Sequence, residues 1–129
     1  MERITLRYND TLKALGTLRE IVDETYSVIV RDAAIQRFEY TFEALWKLLK
    51  DYLHEREGVV CNSPKSCFRE AFSAGMLTEE ETVRFLQMTD DRNMTSHTYK
   101  EEVAAMIYGR LKEYCALMEK LSRQFKTVK

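Results

Sequence analysis

The residues best suited to chemistry lie in one polar run, Asp90-Asp91-Arg92-Asn93-Met94-Thr95-Ser96-His97-Thr98-Tyr99. Arginine offers a planar guanidinium fork that grips a phosphate through two N–H groups. Histidine, five residues on, is the side chain whose ordinary titration lies near neutral pH, so it can take up or give back a proton during turnover. Together they form a minimal apparatus for cleaving a phosphodiester by transesterification. His97 would move the proton of a ribose 2′-hydroxyl or of the leaving oxygen, and Arg92 would stabilise charge developing on the phosphoryl oxygens. Thr98 with Glu101 reads as a capping box, which would set His97 and Tyr99 at a helix N-terminus, where free N–H groups attract anions. The plainer reading of the same run is a solvated turn between helices, with Asn, Ser and Thr as caps. An Arg and a His five apart also occur by chance.

Other candidates carry less. Glu39 and Glu43 lie one helical turn apart and read either as a solvated flank, with Glu43 pairing to Lys47, or as acids that orient Arg92 or His97. Arg31 and Arg37 read equally as a phosphate-binding extension or as solvated charges. His54, near a helix end, reads as a surface residue, and Phe38, Phe42, Trp46 and Tyr52 as core or subunit seam rather than a base-stacking platform. Cys61, Cys67 and Cys115 are odd in number and contain no CxxC, which suggests buried or indifferent thiols in a reducing cytoplasm. No Cys/His cluster has zinc spacing, and no P-loop, GxGxxG or HExxH occurs, so no metal or cofactor is expected.

The elements that must position these residues are helical. Four Gly and one Pro in 129 residues are too few turn-formers for a many-stranded fold, which excludes sandwiches and barrels. Leu12, Leu15, Leu18, Val22 and Tyr26 outline a first amphipathic helix, with Asn9 or Asp10 as its cap. Val28-Ile29-Val30 reads as a connector, and Asp32 as the cap of a second helix ended by Gly58. In that helix Ile35, Phe38, Phe42, Leu45, Leu49 and Tyr52 form a heptad seam, widened by Trp46, Leu48 and Leu53. So wide a face would be central and would form a subunit contact, unless the segment around Phe68 and Phe72 covers it. Ser63-Pro64 starts a short helix closed by Gly75. Thr78 and Glu81 form a capping box for the next, and Val103, Ile107, Leu111, Tyr114, Met118, Leu121 and Phe125 line a long last helix. These patterns predict an all-α, up-and-down four-helix bundle with one extra short helix, in a single domain over residues 1–129.

Charges nearly cancel, with 20 Lys and Arg against 21 Asp and Glu, which excludes a broad electrostatic nucleic-acid binder. The balance is segregated, however. Residues 78–97 hold five acids and two arginines, whereas residues 100–129 hold seven bases and four acids. No run approaches the length of a membrane span, and the first residues lack the apolar stretch of a signal peptide, so a cytoplasmic chain with no membrane partner is expected.

Arg92-Asn93-Met94-Thr95-Ser96-His97-Thr98-Tyr99 resembles the R-x4-H-x-Y motif of HEPN-domain proteins, and more narrowly the nucleotidyltransferase substrate-binding family encoded beside a minimal (MNT) nucleotidyltransferase. Arg31-Asp32-Ala33-Ala34-Ile35-Gln36-Arg37-Phe38-Glu39-Tyr40-Thr41-Phe42 followed by Leu45-Trp46-Lys47 is similar to that family's second-helix signature. Ser63-Pro64 leading to Glu70-Ala71-Phe72 is similar too, so the resemblance runs from about Arg31 to Ala105. It implies a helical homodimer whose two Arg/His pairs face one cleft. It further implies a metal-independent RNase, often a toxin, with the MNT nucleotidyltransferase as antitoxin adenylylating Tyr99. On this carry-over Arg92 and His97 are catalytic, and Tyr99, with Asn93 and Ser96, contacts RNA or nucleotide. The other reading of the family is a non-catalytic subunit that presents substrate to the nucleotidyltransferase.

Overall fold

A computed structural model describes residues 2–128, with the side chains of 126–128 outside that description. Five helices follow one another: α1 (Glu2–Val22), α2 (Val28–Glu57), α3 (Pro64–Ser73), α4 (Glu79–Asn93) and α5 (Glu101–Ser122). Short 3₁₀ segments at Met94–His97 and Arg123–Val128 follow α4 and α5, and no strand occurs among the described residues. The predicted all-α architecture of four long helices and one short one is the one observed.

Helix α2, 30 residues long, is the central element and packs against α1, α3 and α5. Its seam is buried as the spacing requires, with Phe38, Phe42, Leu45, Leu48, Leu49 and Leu53 almost fully excluded from water. Tyr114 of α5 stacks on Phe38 at 5.7 Å between ring centroids. Phe68 of α3 lies 5.9 Å from Phe42 and 4.7 Å from Phe85 of α4, so one ring bridges three helices. The short helix thus covers part of the wide face of α2, while Phe72 remains 45% exposed.

Helix boundaries follow local chemistry in some places and override propensity in others. Gly58 ends α2 in the left-handed conformation (φ 66°), its N–H bonding His54 O, as a glycine does just past a helix end. Ser63 and Pro64 start α3, and the Thr78–Glu81 capping box starts α4 with both reciprocal bonds, at 3.1 and 2.9 Å. Val28-Ile29-Val30 is no connector but the first turn of α2, capped by Ser27, whose Oγ accepts the Val30 N–H at 3.0 Å. Asp32 is therefore inside the helix rather than its cap. Val28 and Ile29 are exposed there, where β-branched side chains meet no preceding turn. Helix α1 begins at Glu2, upstream of the expected cap at Asn9 or Asp10, because Ile4, Tyr8, Thr11, Leu15, Leu18 and Val22 form a longer buried stripe. Leu12 is 39% exposed and Tyr26 lies beyond the helix.

Cys61 and Cys67 are joined as a disulfide that clips the loop after α2 to the first turns of α3, which corrects the reading of three separate thiols. Cys115 is free and buried, and burial, with the nearby Glu119 carboxylate adding to it, pushes its thiol up to about 11.

Candidate active site

The polar run does not sit at the start of α5 as the capping pattern suggested. Helix α4 continues through Arg92 to Asn93, and Met94–His97 forms a 3₁₀ turn. The Thr98 hydroxyl donates to Thr95 O at 3.1 Å instead of capping α5, and Lys100 takes the cap position without a side-chain bond. His97 thus lies four residues before the first residue of α5, and its carbonyl accepts the Lys100 N–H at 3.0 Å. The tight turn satisfies its own polar groups locally, which made the Thr98 cap unnecessary.

Arg92 is held from α2. Its Nε donates to Glu43 Oε2 at 3.1 Å, and the side chain remains 30% exposed. Glu43 is itself fixed, since Oε1 accepts the Trp46 indole N–H at 3.1 Å and lies 3.9 Å from Lys47 Nζ. A guanidinium oriented through one edge is prepared to meet an anion. Glu39, one turn earlier, accepts the Thr95 hydroxyl at 2.8 Å, and the same hydroxyl lies 2.7 Å from Arg92 O. Thr95 is 6% exposed, so it pins the turn to both α2 and the end of α4. Two of the sequence candidates, Glu39 and Glu43, thereby become the α2 supports of the motif.

The remaining motif side chains face water. His97 and Tyr99 are exposed, Tyr99 at 78%, and their rings meet edge-on with centroids 6.2 Å apart. Asn93 and Ser96 are exposed on the same turn. Helix α4 stops at Asn93, so Arg92 and Tyr99 do not share one continuous helix. A groove opens beside Tyr99, bounded by Asp32, Ile35, Gln36, Glu39 and Thr98.

Arg31 and Arg37 both engage their guanidinium groups with other parts of the protein. Arg31 is buried and bonds Asp32 at 3.0 Å and Glu101 at 2.5 Å, joining the starts of α2 and α5. The Asp32 carboxylate first, then that of Glu101, hold its guanidinium above its usual pKa despite burial. Arg37 donates to Thr17 O at 2.8 Å. His54 is exposed, as expected.

Asp91, read from sequence as solvated, is 4% exposed. It accepts both Arg110 Nη1, at 2.8 Å to Oδ2, and the Tyr114 hydroxyl, at 2.5 Å. Burial first, and the bond to Asp91 next, raise the Tyr114 phenol above its usual value, while the Asp91 bond raises Arg110. This network anchors the end of α4 to α5 directly beside Arg92. Its sequence signal was slight: Arg110 and Tyr114 are four apart, on the face that meets α4.

Among the described residues, no three His, Cys, Asp or Glu side chains come together to hold a metal, and no helix is long and apolar enough to cross a membrane.

Comparison with known proteins bears on the family and the fold. The family model for nucleotidyltransferase substrate binding protein-like chains matches residues 6–127. Probable ribonuclease HepT of Haemophilus influenzae is 29% identical over 85 residues, 63% of this chain and 57% of the relative, so the chain matches little more than half of that protein's length. A crystal structure from Thermus thermophilus is 49% identical, with a TM-score of 0.87, over 90% of this chain and 98% of that one. A second Haemophilus influenzae structure, described as the fold of a substrate binding domain of a nucleotidyltransferase, shares the fold at 22% identity and a TM-score of 0.64, covering 97% and 98% of the two chains. With all but the chain's ends covered by its model, this protein belongs to the nucleotidyltransferase substrate-binding family.

Proposed function

We propose that the chain is a metal-independent endoribonuclease of the HEPN type, with Arg92 and His97 as its catalytic pair. The observation that carries this reading is an oriented arginine, held by Glu43, next to a 3₁₀ turn that ends in an exposed histidine. The reaction is a transesterification. The ribose 2′-oxygen forms a bond to phosphorus, the bond to the 5′-oxygen breaks, the 2′-proton passes to a base and the leaving oxygen gains a proton. His97 serves one of these transfers, and Arg92 binds the phosphoryl oxygens as their charge grows. The name of the Haemophilus ribonuclease supports the same chemistry.

In this reading the chain folds as a single domain and pairs as a homodimer that brings two Arg92/His97 sets to one cleft. An MNT-type nucleotidyltransferase encoded nearby regulates it as the antitoxin of a toxin–antitoxin pair. Adenylylation of Tyr99 would put a phosphate and a base beside Arg92 and block the RNA. Asn93 and Ser96 supply further polar contacts to RNA or nucleotide. The test is cleavage of RNA in the presence of a chelator by the wild type and by Arg92→Ala and His97→Ala.

The family description favours a second reading, a non-catalytic subunit that binds substrate for a nucleotidyltransferase. It predicts no cleavage by any of the three chains, and a stable complex with the neighbouring enzyme in a pull-down.

A further inference from the structure

We propose that the groove beside Tyr99 is a base-binding subsite that selects an amino-bearing nucleobase, adenine foremost, of the RNA whose phosphate meets Arg92 and His97. The proposal rests on the functional reading above only for the place of that phosphate.

Asp32, Gln36 and Glu39 follow each other at steps of four and three along α2, so they form one stripe, and Ile35 lies beside it. With Thr98 and Tyr99 opposite, they line the groove. Two carboxylates and no cation line it, so a phosphate is repelled while a neutral group with N–H donors is attracted. Asp32 gives one oxygen to Arg31, and Glu39 is bonded to Thr95, which fixes both acceptors in place. Gln36 is exposed, and its amide can donate and accept at once, the pattern that meets the N6 amino group and N7 of adenine. Ile35 offers an apolar wall and Tyr99 an open ring for stacking. The edge contact between Tyr99 and His97 sets this subsite next to the proposed reacting phosphate. Hypoxanthine and uracil would turn a carbonyl toward the carboxylates where adenine turns an amine.

The test is equilibrium binding of labelled 2′-O-methyl hexamers of adenosine, inosine and uridine, which lack the 2′-hydroxyl that cleavage requires. The wild-type chain should bind the adenosine hexamer about tenfold more tightly than the inosine hexamer. Gln36→Ala should bring that ratio close to one with an unchanged circular-dichroism spectrum. Tyr99→Leu should weaken all three hexamers alike. Equal affinities for adenosine and inosine in the wild type, a ratio unaffected by Gln36→Ala, or absence of binding would overturn the subsite. So would displacement of the hexamer by an equal concentration of AMP, which would make it a mononucleotide site. Cleavage of the unmodified hexamers is measured separately. Adenosine preference without cleavage sinks the catalytic reading alone, and cleavage without preference sinks the subsite alone.

Discussion

At the scale of single residues, carboxylates of α2 hold the motif: Glu43 bonds Arg92 and Glu39 bonds Thr95. On the proposed RNase reading Glu43 positions Arg92, so Glu43→Ala should lower kcat for RNA cleavage about 10–100-fold with a smaller change in KM, and Glu43→Gln should recover part of it. Steady-state kinetics on the two variants checks this. Asp91 holds the end of α4 from inside the protein. Arg110→Ala leaves the buried Asp91 carboxylate with Tyr114 but without its partly exposed cation and should cost about 2 kcal/mol in urea unfolding, whereas Tyr114→Phe should cost about 1 kcal/mol. Arg92, His97 and Tyr99 stand out by their types and spacing, and the structure holds Arg92 from α2 and sets the His97 and Tyr99 rings edge-on. The burial of Asp91 was not legible, because its partners are 19 and 23 residues away and nothing local marks them. The supporting role of Glu43 was legible only as one of two options, since a carboxylate flanking an apolar face looks the same whether it meets water or an arginine, and Glu39 meets Thr95 rather than Arg92 or His97.

At the scale of elements, what could be read was what is decided within one turn of chain. Gly58, Ser63-Pro64 and the Thr78–Glu81 box each satisfy helix-end groups with neighbours three or four residues away, and each stands where its residues indicated. Ser27 and Thr98 went the other way. The Ser27 cap drew the strand-like Val28-Ile29-Val30 into the first turn of α2, and a 3₁₀ turn took the Thr98 hydroxyl before α5 could use it. The start of α4 has a consequence for pH. Lys120 at 2.7 Å, followed by the Thr78 N–H, holds the Glu81 carboxyl below its usual range. A carboxyl depressed on folding adds stability that is present above its unfolded pKa of about 4.5 and lost as pH falls through the lower folded value. Thermal melts from pH 7 to pH 3 should therefore fall more steeply for the wild type than for Glu81→Gln. The disulfide fastens α3, whose Phe68 joins α2 to α4. Cys61→Ser with Cys67→Ser should cost about 2 kcal/mol in denaturant unfolding, as closing so short a loop suggests.

At the scale of the whole molecule, the near-zero net charge conceals a division that suits a small, focused site. The chain up to His97 carries the acids of α4, and the stretch from Lys100 onward carries the surplus of bases. The candidate pair lies at that junction, on a turn held from α2 by Glu39 and Glu43 and braced by Asp91 against α5. With so few phosphate contacts available, binding of RNA should weaken only shallowly with salt, by a log–log slope of about −1 to −3 in a titration from 50 to 300 mM. The broad fold was readable because apolar spacing repeats over many residues, while the joining of the elements around Arg92 depended on side chains distant in sequence. The catalytic assignment is tested most directly by mass spectrometry of the ends produced when the purified chain is incubated with RNA and a chelator. The wild type should yield 2′,3′-cyclic phosphate and 5′-hydroxyl ends, and Arg92→Ala and His97→Ala should lose them. Intact RNA with the wild type, or the same ends at the same rate from all three chains, would contradict it.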